Sequence, residues 1–262
     1  MPTIRHAYVD TRAGQVHLHE VGGTGTPILF LHQTALSARS YDPLLRVLDV
    51  PNRLVAIDTP GFGGSCDLQG WPALDEYADI LLEAIDALGV DRVHIYGHHT
   101  GATLAIEMAA RAAQRVTSLM LSGPVFMTEQ EREDFIAGYS APIAPVADGS
   151  HLLRNWNYAA QNNPDCPLDV LQEATVDQLR AWRARPQAYM AVAQHDTAAR
   201  AAQVKAPVVL MTTAGDFFHA AFDRAVALFP KAQVVQTGGD NFPSALDPHG
   251  VTNAIKGFLA GL

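Results

Sequence analysis

Two hydrophobic rhythms take turns along the 262-residue chain. "QVHLHEV" (15–21) alternates polar and apolar positions, as a half-buried strand does. "PILFLH" (27–32), "RLVAID" (53–58), "VHIYG" (93–97), "VTSLMLS" (116–122), "PVVLMT" (207–212) and "QVVQT" (233–237) are short apolar runs bounded by turn residues. Runs of that kind predict strands buried on both faces. Between them the spacing predicts helices over 74–89, 100–114, 218–229 and 248–262. In the first of these, Tyr77, Ile80, Leu81, Ile85 and Leu88 recur at helical spacing, and Gly89 is placed to end the helix.

Strands alternating with such helices imply a mainly parallel sheet covered on both faces. The hairpin-like start, roughly 4–21, adds antiparallel strands at one edge. Residues 124–203 break the rhythm with helical pieces rich in Trp, Tyr, Arg and Pro and no clear strand. They read as a helical insertion over the carboxyl edge of the sheet, where open α/β folds bind ligands. The expected organisation is a core of 1–123 and 204–262 and a lid of 124–203.

Composition changes the picture only by exclusion. Apolar residues are 48% and charged residues 17%, which suits a packed globular domain. The net charge of −9 argues against nucleic acid and anionic membrane as partners, since both demand a basic face. No basic segment followed by an apolar run opens the chain, and no apolar stretch approaches the ~18 residues of a membrane span, so a cytoplasmic protein is expected. Cys66 and Cys166 are far apart and outside any CxxC pair, and are expected to stay reduced.

Four landmarks follow in order: "FLHQTALS" (30–37), "DTPGFGGS" (58–65), "YGHHTGA" (96–102), and the pair "VVLMTTAGD" (208–216) with "TGGDNFPSALDP" (237–248). Together they resemble the α/β-hydrolase superfamily over essentially the whole chain. The resemblance implies an eight-stranded, mostly parallel sheet with helices on both faces and a helical lid. It also implies a strand-to-helix elbow, usually G-x-S-x-G, that lifts a nucleophile into the site, with a histidine as its base and an acid behind. Carried over by position, the nucleophile's place is His99 and the acid is Asp216, while the histidine's place holds Asn241. Gly97 and Gly101 keep the elbow's close backbone approach. An asparagine amide accepts no proton near neutral pH, so an ordinary acyl-enzyme route is not expected.

The reading preferred here moves the base onto the elbow. An imidazole, with an ordinary pKa of about 6.5, suits proton transfer near neutral pH, and His99 would reach deeper into the pocket than a serine oxygen. Asp216 and Asn241 would orient the ring or its water. The backbone amides of Thr100 and Thr34 would hold a developing oxyanion. A base facing an oxyanion site serves proton abstraction beside a carbonyl, carbon–carbon bond chemistry, or water attack on an activated ester. The expected partner is a small-molecule carbonyl substrate. Two alternatives stand beside this reading: a non-catalytic ligand-binding protein whose pocket His99 fills, and a plain ester hydrolase using His99 as base.

Further candidates flank that centre. Gln33 replaces the family's usual glycine, and its amide is expected to bind the substrate carbonyl. His98 is expected on the pocket wall, and Trp156 in "RNWNY" over the ligand. His32 is expected to be a hydrogen-bonded structural residue and His195 to close the insertion against the core; His219 either reaches the site or begins a helix. His32, His99, Asp216 and His219 are ligand types that zinc or iron accepts, but none stands at H-x-H or H-E-x-x-H spacing from another, and no metal is expected. "GFGGS" is followed by loop rather than helix, so no nicotinamide or other organic cofactor is expected.

Overall fold

A computed structural model describes residues 2–161, 163 and 165–262. Eight strands form one sheet: β1 (Arg5–Thr11), β2 (Gly14–Val21), β3 (Gly25–Leu31), β4 (Asn52–Ile57), β5 (Val93–His98), β6 (Val116–Ser122), β7 (Val208–Thr212) and β8 (Gln233–Gln236). Their spatial order is β1-β2-β4-β3-β5-β6-β7-β8. β2 runs antiparallel to β1 and β4, and every other pairing is parallel. The apolar runs and the alternating first hairpin thus fall where their patterns predict.

Helices follow the strands: α1 (Asp42–Val47), α2 (Leu74–Ala87), α3 (Thr100–Arg111), α4 (Glu129–Tyr139), α5 (Ser150–Gln161), α6 (Leu168–Arg180), α7 (Ala184–Gln194), α8 (Thr197–Ala201), α9 (Phe222–Leu228), α10 (Pro243–Leu246) and α11 (Pro248–Leu259). The continuous apolar runs have a simple cause, visible on β3. Leu29 and Leu31 pack with Leu81 and Leu104 in one core, while Ile28 and Phe30 pack with Tyr41, Ile255 and Phe258 in the other. Every position from Ile28 to Leu31 is buried, and none is polar. Each large side chain sealed this way contributes about 1.5–3 kcal/mol.

Helices α4 to α8 all lie between β6 and β7, in the stretch that breaks the sequence rhythm. α4 opens on a capping box in which Thr128 and Glu131 satisfy each other's backbone amides. The insertion is tied back to the core at several points. The Ser37 hydroxyl donates to Asp177 (2.8 Å), and Arg180 reaches Asp67 (2.9 Å). His195 meets the buried Glu107 of α3 at 3.0 Å, closing the insertion against the core as expected. Cys66 and Cys166 are free thiols. Among the described residues no helix is long and apolar enough to cross a membrane.

Candidate active site

The turn from β5 into α3 takes a single residue. His99 has φ +47 and ψ −109, a left-handed conformation that a side-chain-bearing residue rarely adopts and that costs about 1–3 kcal/mol. The bend survives because its neighbours leave no alternative. The His99 amide donates to Ser122 O (3.0 Å) on β6, and its carbonyl accepts from Ala102 (2.9 Å) and Thr103 (3.1 Å) as α3 begins. A Cβ at Gly97 would collide with the backbone of Gly101, and one at Gly101 with the carbonyl of Leu31. Glycine is therefore required at both positions, for close approach rather than for φ.

The imidazole crosses from the elbow to the acid. His99 Nε2 lies 2.8 Å from Asp216 Oδ2. The second oxygen of Asp216 accepts the Phe218 amide at 2.7 Å. Burial opposes charge on Asp216, but His99 and His98 beside it outweigh burial and hold its carboxyl well below the usual carboxylate range. An ionised carboxylate only accepts, so His99 presents an N–H to it from Nε2 and turns Nδ1 away from it. Nδ1 has no hydrogen-bond partner among the described residues. Phe218 meets the ring edge-on at 5.0 Å.

His99 lines a cavity of about 100 Å³, the liquid volume of about three waters. Gln33, Thr34, Thr100 and Asn241 line it as well. Thr100 opens α3, so its amide has no acceptor within the helix. The remaining wall is largely aromatic: Phe135 and Tyr139 from α4, Tyr158 from α5, Tyr189 from α7, and Phe217 and Phe218 after β7. Tyr158 and Tyr189 pair through their hydroxyls at 2.9 Å, and Tyr189 also reaches the Thr34 carbonyl at 3.3 Å.

Several expected residues sit elsewhere or do other work. Trp156 is absent from this wall; it packs with Ala159, Leu171 and Phe242 in a satellite core, because Tyr158 is the aromatic residue that α5 turns toward the cavity. His98 lines a neighbouring cavity instead, with its ring centroid 4.1 Å from that of His99. Its Nε2 is 3.7 Å from Asp216, beyond hydrogen-bond reach, and burial together with the adjacent His99 pushes its pKa down to about 4. Gln33 spends its amide nitrogen on the Asn241 carbonyl (2.6 Å) rather than offering it to a ligand. Asn241 itself accepts the Phe217 amide (2.9 Å) and donates to Asn163 (3.1 Å). No hydrogen bond between described residues joins Asn241 to His99; it braces the loop that carries Asp216.

The histidines considered as metal ligands do not gather. His32 is a structural residue, its Nδ1 bonding the Gln33 carbonyl (2.9 Å) while its Nε2 accepts the Thr59 amide (3.0 Å). His219 begins a 3-10 turn and bonds Thr212 (3.1 Å). Two other groups bring three ligand-type atoms within 4.8 Å of one another: His98, His99 and Asp216, and His6, His17 and His19. The second contains an H-x-H spacing in the first long strand, a signal legible in "QVHLHEV" that the elbow histidines overshadow.

Gly123 has no counterpart among the sequence expectations. It follows β6 with φ +51, and a Cβ there would stand 2.6 Å from both Asp216 Oδ2 and His99 Cδ2. The only available signal is a glycine directly after a predicted strand, in "SGP".

A family model described as the alpha/beta hydrolase fold matches residues 26–168, over half of the chain. A haloalkane dehalogenase from Mycobacterium tuberculosis is 32% identical over 120 residues, covering 45% of this chain and 42% of that enzyme. The chain spans about half or less of the length of the curated relatives it matches. A solved hydrolase from Pseudomonas aeruginosa superposes with a TM-score of 0.80 at 18% identity, covering 97% of this chain and 98% of its own. The enol-lactonase from Burkholderia xenovorans gives 0.79 at 16% identity over 97% of this chain and all of its own. The chain belongs to the α/β-hydrolase-fold family.

Proposed function

We propose that the protein is an enzyme in which the His99–Asp216 dyad acts as a general base on a small carbonyl compound, with no serine nucleophile. The carrying observation is the 2.8 Å bond from His99 Nε2 to Asp216, on a ring that lines the cavity, which makes Nδ1 the nitrogen left to act as base. His99 Nδ1 removes a proton from the carbon beside the carbonyl. The electron pair moves onto the carbonyl oxygen, and the amides of Thr100 and Thr34 receive the resulting enolate. Asp216 steadies the imidazolium until the proton returns to carbon, at the same or a neighbouring atom. The aromatic wall takes the apolar part of the substrate and keeps bulk water from the enolate.

A second reading uses the same base on water. The names of the relatives favour it, since a dehalogenase, a hydrolase and an enol-lactonase are among them. Here Nδ1 takes a proton from water as its oxygen attacks an ester or lactone carbonyl, and the same amides hold the tetrahedral oxyanion.

Deuterium exchange into a panel of small ketones and keto acids, followed by proton NMR, tests the first reading. Wild type is expected to exchange the carbon-bound proton, and His99→Ala to lose about 10²–10⁴ of that rate. Equal rates in both proteins contradict the proposal. Hydrolysis of small esters that is lost in His99→Ala without exchange selects the water reading. Stoichiometric labelling of any serine by a fluorophosphonate contradicts both, and ligand binding without either reaction marks a non-catalytic receptor.

A further inference from the structure

At the far edge of the sheet, three imidazoles share one face of the β1–β2 hairpin. His6 and His19 are directly opposed in the antiparallel register, and His17 lies two residues from His19 on the same face. Their rings are close: 4.0 Å between the centroids of His6 and His19, 5.2 Å for His17 and His19, 5.6 Å for His6 and His17. One ring nitrogen of each lies within 4.8 Å of the others.

Two of these rings are already oriented. His17 Nδ1 bonds Asp58 Oδ2 at 2.7 Å, and His19 Nδ1 bonds Asp42 Oδ1 at 2.6 Å. Asp58 is itself buried and fixed, accepting the amides of Ala38 (2.6 Å) and Gly64 (2.8 Å). A carboxylate that accepts from Nδ1–H orients the ring and turns Nε2 outward as the ligand atom, the arrangement that holds and strengthens imidazole ligands in metal sites. His6 is exposed, with no hydrogen bond among the described residues, and is free to swing inward. Three like rings packed together do little for a hairpin by themselves.

We propose that His6, His17 and His19 bind one divalent transition-metal ion, zinc in the first instance, and clamp the edge strand β1 to β2. Three neutral imidazoles are donors that zinc, copper and nickel prefer over magnesium or calcium. Tetrahedral Zn–N bonds of about 2.0–2.1 Å set the ligand nitrogens about 3.4 Å apart, so the three rings, whose nitrogens already lie within 4.8 Å of one another, would draw in by about an ångström on binding. A fourth position remains for water. None of these residues belongs to the His99 cavity, so this site stands or falls separately from the proposed chemistry.

The test uses the full chain without an affinity tag, stripped with EDTA and titrated with Co²⁺, then with Zn²⁺ in competition. Wild type is expected to take up one equivalent, with the visible absorption of four- or five-coordinate Co²⁺, and to melt a few degrees higher when loaded. His6→Ala leaves the buried carboxylate pairs intact and is expected to weaken binding at least tenfold; His19→Ala does the same where it folds. His99→Ala retains full binding. Absence of a saturable equivalent, unchanged affinity in His6→Ala, or loss of binding in His99→Ala in its place overturns the assignment.

Discussion

His99 combines two offices in one side chain. Its backbone takes the strained conformation of the elbow, and its ring takes the proton-transfer position opposite Asp216. Gly123 supplies the third condition, an empty place beside the bond between them. Gly123→Ala is expected to break the dyad, because the added methyl meets both partners at 2.6 Å and φ +51 disfavours it besides. We expect at least a tenfold loss of turnover and a destabilisation of about 1–3 kcal/mol, read by kinetics and thermal denaturation. Wild-type turnover in that variant would show that the dyad does not set the rate. At this scale the sequence carries what is local: the elbow glycines, the substitution at 99 and the acid at 216 are all legible from spacing. Gly123 and the tyrosine pair are not, because their roles arise only when β6, α5 and α7 converge on the same cavity.

Helices bring a second kind of dependence, through buried charge. Glu107 of α3 is fully buried and meets His195 at 3.0 Å and Arg200 at 2.9 Å, with Arg111 at 3.6 Å. Burial opposes its charge, but these three partners outweigh burial and depress its pKa. Its stabilisation is full above the unfolded value of about 4.3 and is lost as pH falls through the lower folded value. Glu107→Gln is expected to cost about 1–3 kcal/mol at pH 7 and progressively less in acid, by denaturant titration at both pH values. A pH-independent cost would mean packing, not charge, holds α8 to α3. Asp177 of α6 behaves oppositely. Burial, only partly offset by the Ser37 hydrogen bond, pushes it up to about 7. The folded state therefore holds more protons between about pH 4 and 7, and stability drains away as pH rises through that window. Asp177→Asn is expected to be near neutral at pH 4 and to stabilise by about 1 kcal/mol at pH 8. Destabilisation at pH 8 would contradict this account. The existence of these helices is legible from the apolar spacing and the aromatic-rich break in rhythm. Which face each one buries is not, and Trp156 shows it: the larger ring packs away while Tyr158, two residues on, turns inward.

Across the whole molecule, the sheet serves as a frame that aligns segments far apart in sequence. The elbow after β5, the loop after β3 with Thr34, the loop after β7 with Asp216 and the turn holding Asn241 all end at one edge, and the helices between β6 and β7 close the space above. That plan is legible from six apolar runs, one alternating strand and four ordered motifs, because each is a local pattern with one compatible arrangement. The pairing of Asn241 with the Phe217 amide, and of Gln33 with the Asn241 carbonyl, is not, since it depends on where loops meet in space. The most direct test of the central claim is ¹⁵N NMR of the histidine rings in wild type and Asp216→Asn. We expect His99 in wild type as a neutral ring protonated on Nε2, its Nδ1 shift that of an unbonded lone pair, and a change of tautomer in Asp216→Asn. A His99 ring protonated on Nδ1, or one indifferent to the Asp216 substitution, would contradict the assignment of that nitrogen as the base.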